Sequence, residues 1–228
     1  MIDWERGVGF TRRSWRWWLM AGWGLGIALV VTSAVLLLVT EPARLQPWLA
    51  DTWQVALVPL IGLVSAVFGA GPLGEELGWR GWLQPRLIDR WSPGRSHVIL
   101  GVVWAFWHLP LFVIPDFRNG LSLPLFVLLY PVSTIVLSAG LYHVWRNTRG
   151  SVFAAILAHG VVNAAAANVL PDGTPVVATY VAAVLGMGLW ALVAWRMDSR
   201  PSPAVLSGDQ QNGTTSRATR AHSPHRAG

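Results

Sequence analysis

Lysine and cysteine are absent from this chain of 228 residues, and glutamate occurs only four times. Without cysteine there is no disulfide, no thiolate metal ligand and no cysteine nucleophile. All seventeen basic residues are arginines, and charged residues of either sign make up only 12% of the chain against 53% hydrophobic. A mean hydropathy of +0.45, with apolar stretches of eighteen or more residues recurring, excludes an ordinary soluble domain and makes the bilayer the solvent. The pI of about 11.2 records membrane-side arginines and a basic tail rather than a nucleic-acid face, so no nucleic-acid partner is expected.

What is present in abundance is apolar helix. About six spans, roughly 17–39, 53–73, 97–115, 122–145, 151–170 and 175–195, satisfy the ~20-residue criterion for crossing a membrane. The arginines test this parse independently. Fifteen of the seventeen fall on one side of it and only Arg44 and Arg118 on the other, which predicts that both termini and the loop following Glu76 are cytoplasmic. The expected fold is therefore all-α, a polytopic transmembrane helix bundle, because in lipid every backbone polar group must be satisfied within the segment. Residues 1–16 read as a cytoplasmic N-terminal segment, 17–196 as the membrane domain and 197–228, rich in Ser, Pro, Gly, Thr and Arg, as a disordered cytoplasmic tail. Arg12-Arg13 before an apolar stretch suggests an export signal, but the stretch is too long and five more follow, so an uncleaved first helix is expected. Trp15, Trp17, Trp18, Trp48, Trp53, Trp91, Trp145 and Trp195 lie near span ends and read as interface anchors.

Charge within this apolar setting is sparse. Glu75 and Glu76 follow about twenty mostly apolar residues, where an unpaired charge costs several kcal/mol. Glu76 and Arg80 stand at i and i+4 with the acid first, the favourable order for a helical ion pair. Glu75 then points about 100° away, toward a different neighbour, so one carboxylate can be structural and the other chemical. The bland alternative is a solvated interfacial cluster that ends the helix. His108 lies about two-thirds along the third span, and His159 and Asn163 share a helical face in the fifth. Singly, such residues serve most often as helix–helix hydrogen-bonding groups. Jointly, three spans carry proton-transfer or hydrogen-bonding groups where apolar side chains cost less, and convergence on one site is the economical reading. A carboxylate and a neutral imidazole can deprotonate a shared water, and an imidazole with an amide can hold the oxygen of a tetrahedral intermediate. Those are the parts of an amide hydrolase.

The ordered set Glu75-Glu76-x-x-x-Arg80, Trp104-x-x-x-His108 and His159-x-x-x-Asn163 resembles the CPBP intramembrane proteases, also called the Abi or CAAX-protease family. That family includes eukaryotic CAAX prenyl endopeptidases and many bacterial proteins, some linked to bacteriocin immunity. The resemblance covers roughly residues 53–170. It implies an intramembrane endopeptidase in which Glu75 and His108 activate water, His159 and Asn163 form the oxyanion hole, and Glu76, Arg80 and Trp104 support them. The family's second motif usually has Phe where this chain has Trp104, a change that bears on pocket shape and substrate preference. No cofactor is preferred. The alternative, metalloprotease chemistry, would make Glu75, His108 and His159 ligands of a zinc ion, although the His-Glu-x-x-His spacing is missing. The implied partners are the lipid bilayer and a membrane-anchored or membrane-proximal polypeptide reached from the cytoplasm, and the implied location is a bacterial cell membrane in multi-pass form. Prenylated clients are not expected there. A non-catalytic immunity or scaffold protein on the same fold is the alternative function, and a proton-coupled transporter a third, for which the internal repeats are lacking.

Overall fold

The computed structural model describes residues 15–68, 71–168, 170–171 and 175–198, and these hold helices and turns with no strand among them. Most of the expected N-terminal segment and the tail from residue 199 lie outside the described residues. The chain is an all-α helical membrane bundle. Helix α1 runs Trp15–Thr40, α2 Pro42–Asp51, α3 Val58–Phe68, α5 Pro93–Trp107, α6 Leu123–Asn147, α7 Val152–Asn168 and α8 Val176–Met197. Helix α4, residues 72–88, consists of Pro72–Gly78, a π-helical turn Trp79–Leu83 and Gln84–Ile88.

Among the described residues three helices, α1, α6 and α8, are long and apolar enough to cross a bilayer alone, and Pro42–Ala56 with α3 makes a fourth if that pair, bent by 58°, is one span. The expected third and fifth spans are shorter, with α5 at 15 residues and α7 at 17. Proline explains the first difference. Pro110 offers no N–H and disfavours the helical conformation at the residue before it, so α5 stops at Trp107 and gives way to the 3₁₀ turn Leu109–Val113. The same helix starts earlier than hydropathy alone suggests, at Pro93, with the Ser92 carbonyl accepting the first helical N–H bond from Ser96 at 3.0 Å.

Small residues set how these helices meet. In lipid there is little hydrophobic drive between helices, so close backbone approach and dispersion carry the association. Helix α3 lies along α7, α5 along α6, and α8 against both α1 and α6. Gly62 and Gly160 face each other across the first of these seams, where a Cβ on Gly62 would stand 2.7 Å from the Val161 nitrogen. Gly101 abuts the backbone of Ile135, and Gly140 abuts the ring of Trp190. The Trp190 indole, 1% exposed, donates its N–H to the Met20 carbonyl at 3.1 Å, at the start of the π-helical turn Met20–Gly24 in α1. Trp15, Trp53, Trp91 and Trp195 are exposed as anchors must be, but Trp17 is buried in the main core and is no anchor. Large apolar side chains such as Phe68, Leu128 and Leu185 point outward, the arrangement suited to a lipid-facing surface.

Candidate active site

Helix α4 begins abruptly. Gly71 adopts φ +121°, a conformation open to glycine, and Pro72 follows as a first-turn residue. Glu75 consequently falls in the first turn, where the helix dipole favours a carboxylate. It does not lie at the end of the preceding span, as hydropathy suggested, because that span is broken between α3 and α4. From Glu75 to Ile88 is about 20 Å along the axis at ~1.5 Å per residue, close to the ~22 Å from Pro93 to His108 along α5. Both groups thus stand at comparable depth from the arginine-bearing segment 86–95.

The adjacent carboxylates face different surroundings. Glu76 is fully buried, and its Oε1 accepts from Arg80 Nη1 at 3.2 Å and from His159 Nδ1 at 2.9 Å. Arg80, equally buried, also donates through Nη2 to the Ser138 carbonyl of α6 at 3.3 Å, and its guanidinium stands 5.1 Å from the Trp104 ring centroid. This cluster ties α4, α6 and α7 together. Glu75 keeps 16% of its side chain exposed. Its Oε2 accepts the indole N–H of Trp104 at 2.5 Å and that of Trp79 at 3.4 Å, while Oε1 lies 3.9 Å from His108 Nε2. His108 caps the end of α5, and its Nδ1 is 3.0 Å from the Trp104 carbonyl. A carbonyl can only accept, so Nδ1 carries a hydrogen and Nε2 is the ring nitrogen turned toward Glu75. The ring is held by Phe117, stacked at 5.7 Å, and by the edge contact of Tyr130 at 5.6 Å.

Six of the seven residues singled out in the sequence therefore converge: Glu75, Glu76, Arg80, Trp104, His108 and His159. Asn163, one turn beyond His159 on α7, is exposed. Among the described residues no three His, Cys, Asp or Glu side chains converge closely enough to hold a metal ion. In particular, His159 Nδ1 engages Glu76 whereas Glu75 faces His108, so the zinc set Glu75, His108 and His159 does not fit as arranged.

Sequence reasoning passed over several contributors. Trp79 stands at i+4 from Glu75, a spacing that was legible. Phe117 and Tyr130 had no such signal, because only the fold-back of residues 109–122 brings them to His108. His143, near the end of α6, is buried with Nδ1 2.9 Å from Asp198, which also lies 3.4 Å from Arg146 Nη1.

A bundle this apolar, with carboxylates, imidazoles and a guanidinium gathered inside it, defines a multi-pass membrane protein with a polar, chemically competent centre. Comparison narrows the class: residues 56–165 match the family described as Type II CAAX prenyl endopeptidase Rce1-like. A curated protein, CAAX prenyl protease 2 of Methanococcus maripaludis, is 30% identical over 99 residues, which cover 39% of this chain and 34% of that protein. The aligned part thus spans about a third of that relative's length. The matched segment contains every motif residue from Glu75 to Asn163, and over that segment the chain is similar to the CPBP, or CAAX-protease-like, family.

Proposed function

We propose that this protein is an intramembrane endopeptidase that hydrolyses a peptide bond of a membrane-anchored or membrane-proximal polypeptide. The observation that carries the reading is the division between the two carboxylates. Glu76 is sealed and paired, whereas Glu75 remains accessible with Oε1 3.9 Å from His108 Nε2. A water placed there can donate one hydrogen to Glu75 Oε1 and the other to His108 Nε2. As its oxygen bonds to the scissile carbonyl carbon, Glu75 takes the proton, general base catalysis being worth about 10² to 10⁴-fold. The same proton then passes to the leaving nitrogen as the C–N bond breaks, giving a carboxylic acid and an amine, which end as carboxylate and ammonium once the acid's proton moves to the amine. His159 and Asn163 are assigned to the oxyanion. His159 Nε2 is the ring nitrogen left for that oxygen, since Nδ1 engages Glu76. Each such donor contributes about 10² to 10³-fold. No step requires a metal.

The test is cleavage of a membrane-anchored peptide library by the purified protein in liposomes, comparing wild type with Glu75→Gln, with and without a chelator. Cleavage by wild type, loss in the variant by at least about 10²-fold and indifference to chelator are the expected results. Chelator-sensitive activity restored by zinc would replace the metal-free mechanism. An intact library, with Glu75→Gln performing the cellular role unimpaired, would replace the enzyme by a binding protein.

A further inference from the structure

We infer that Trp104 is a positioning residue whose indole N–H fixes Oε2 of Glu75 and so presents Oε1 to His108 Nε2 and the attacking water. The inference rests on the endopeptidase reading and adds a determinant of its geometry. Trp104 is 2% exposed, so its N–H has no bulk water to donate to and Glu75 Oε2, at 2.5 Å, is its acceptor. Trp79 donates to the same oxygen, at 3.4 Å. With two indole N–H groups on Oε2, Oε1 is the oxygen left for chemistry. The same residue also orients the other partner, because the Trp104 carbonyl accepts the Nδ1–H of His108 and thereby turns Nε2 toward Glu75. One residue of α5 therefore holds the acid through its side chain and the imidazole through its backbone.

The ring itself is immobilised by what surrounds it. The Arg80 guanidinium stands 5.1 Å from its centroid, and the His159 ring meets it in a T-shaped contact, also at 5.1 Å. The indole thus contacts Arg80, His159 and Glu75 at once. Phenylalanine, the usual residue at this place in the resembled motif, would fill much of the same volume and offer no donor. The substitution of Phe by Trp is on this argument a change in how the carboxylate is held, not only in pocket shape.

Trp104→Phe isolates the N–H. In liposomes it should lower kcat roughly ten-fold with KM within about two-fold, because the lost bond orients the base rather than the substrate. A thermal midpoint close to wild type would exclude misfolding as the cause. A second measurement needs no turnover: in nanodiscs with ¹⁵N-labelled tryptophan, the indole resonance that disappears in Trp104→Phe should lie downfield and resist solvent exchange. It should move upfield in Glu75→Ala. If Glu75→Ala leaves that resonance in place, the bond does not exist and the inference is overturned. Where the resonance responds but Trp104→Phe cleaves at the wild-type kcat, the bond exists without a positioning role, which overturns it equally. Wild-type protein that cuts nothing would remove the endopeptidase reading instead, and the resonance alone would then decide whether Trp104 orients Glu75.

Discussion

Arg80→Met puts the buried ion pair to the test. Methionine keeps an unbranched side chain of similar reach and removes the guanidinium. In the native arrangement that group contacts both oxygens of Glu76 at 3.2 Å and the Ser138 carbonyl at 3.3 Å, and it stands over the Trp104 ring at 5.1 Å. Glu76 would be left fully buried with His159 as its remaining partner. Removing one member of a buried pair costs about 3–5 kcal/mol, largely because the other charge is stranded. The double variant Glu76→Gln/Arg80→Met strands no charge, and Gln can still accept the His159 N–H, so it should recover more than half of that loss. Equilibrium unfolding in mixed dodecylmaltoside and SDS micelles, followed by tryptophan fluorescence, reads both quantities, with the coupling obtained from a double-mutant cycle. An Arg80→Met protein within about 1 kcal/mol of wild type would refute the reasoning. So would strict additivity of the two substitutions, since it would mean that the charges do not depend on one another.

Three further substitutions test how the bundle and the site are held together. Gly160→Val drives a branched side chain into the Gly62 backbone and should destabilise the bundle by about 1–3 kcal/mol through overpacking, while displacing the adjacent His159 and lowering activity. Gly74→Ala, by contrast, meets nothing within 4 Å and sits inside α4, so unfolding in the same micelles should show a gain of up to about 1 kcal/mol from helix propensity. Asp198→Asn removes the partner of His143 and Arg146 and should cost about 1.5–3 kcal/mol, the range for hydrogen bonds to charged groups, with faster amide exchange at the end of α8.

Much of this site was legible because its residues violate the surrounding composition. Two glutamates after an apolar run, and histidines within apolar helices, stand out once lipid is recognised as the solvent. The Glu76–Arg80 pair followed from helical spacing alone, and the gathering of His108 and His159 near it from the argument that isolated polar groups in such helices find one another, whereas the bond from His159 to Glu76 was not foreseen. Depth was less legible. Hydropathy merges α3 with the start of α4, since Gly69-Ala70-Gly71 does little to lower a window average, and it carries the third span past His108 because Leu109–Ile114 is apolar. The breaks at Gly71 and Pro110 are matters of backbone conformation, to which a hydropathy window is blind. The indole bonds were hidden for another reason: Trp104 was read for its ring, and its N–H acquires meaning only when Glu75 is brought across from another helix.

The two breaks also explain why the site can hold unlike environments side by side. A continuous helix through residues 58–88 would put Glu75 mid-helix, away from any terminus; the turn at Gly71 places it where first-turn N–H groups favour a negative charge. The stop at His108 likewise frees that ring from the helical stack, so that Phe117 and Tyr130 can close on it from the returning chain. Successive residues on α4 then diverge by about 100°, which turns Glu76 toward α6 and α7 and leaves Glu75 facing α5. Adjacent like charges inside a membrane would ordinarily oppose one another. Here Arg80 neutralises one, and two indole N–H groups solvate the other without cancelling its charge. A carboxylate held in that way keeps one oxygen free of indole donors, the position from which a proton can be taken from water.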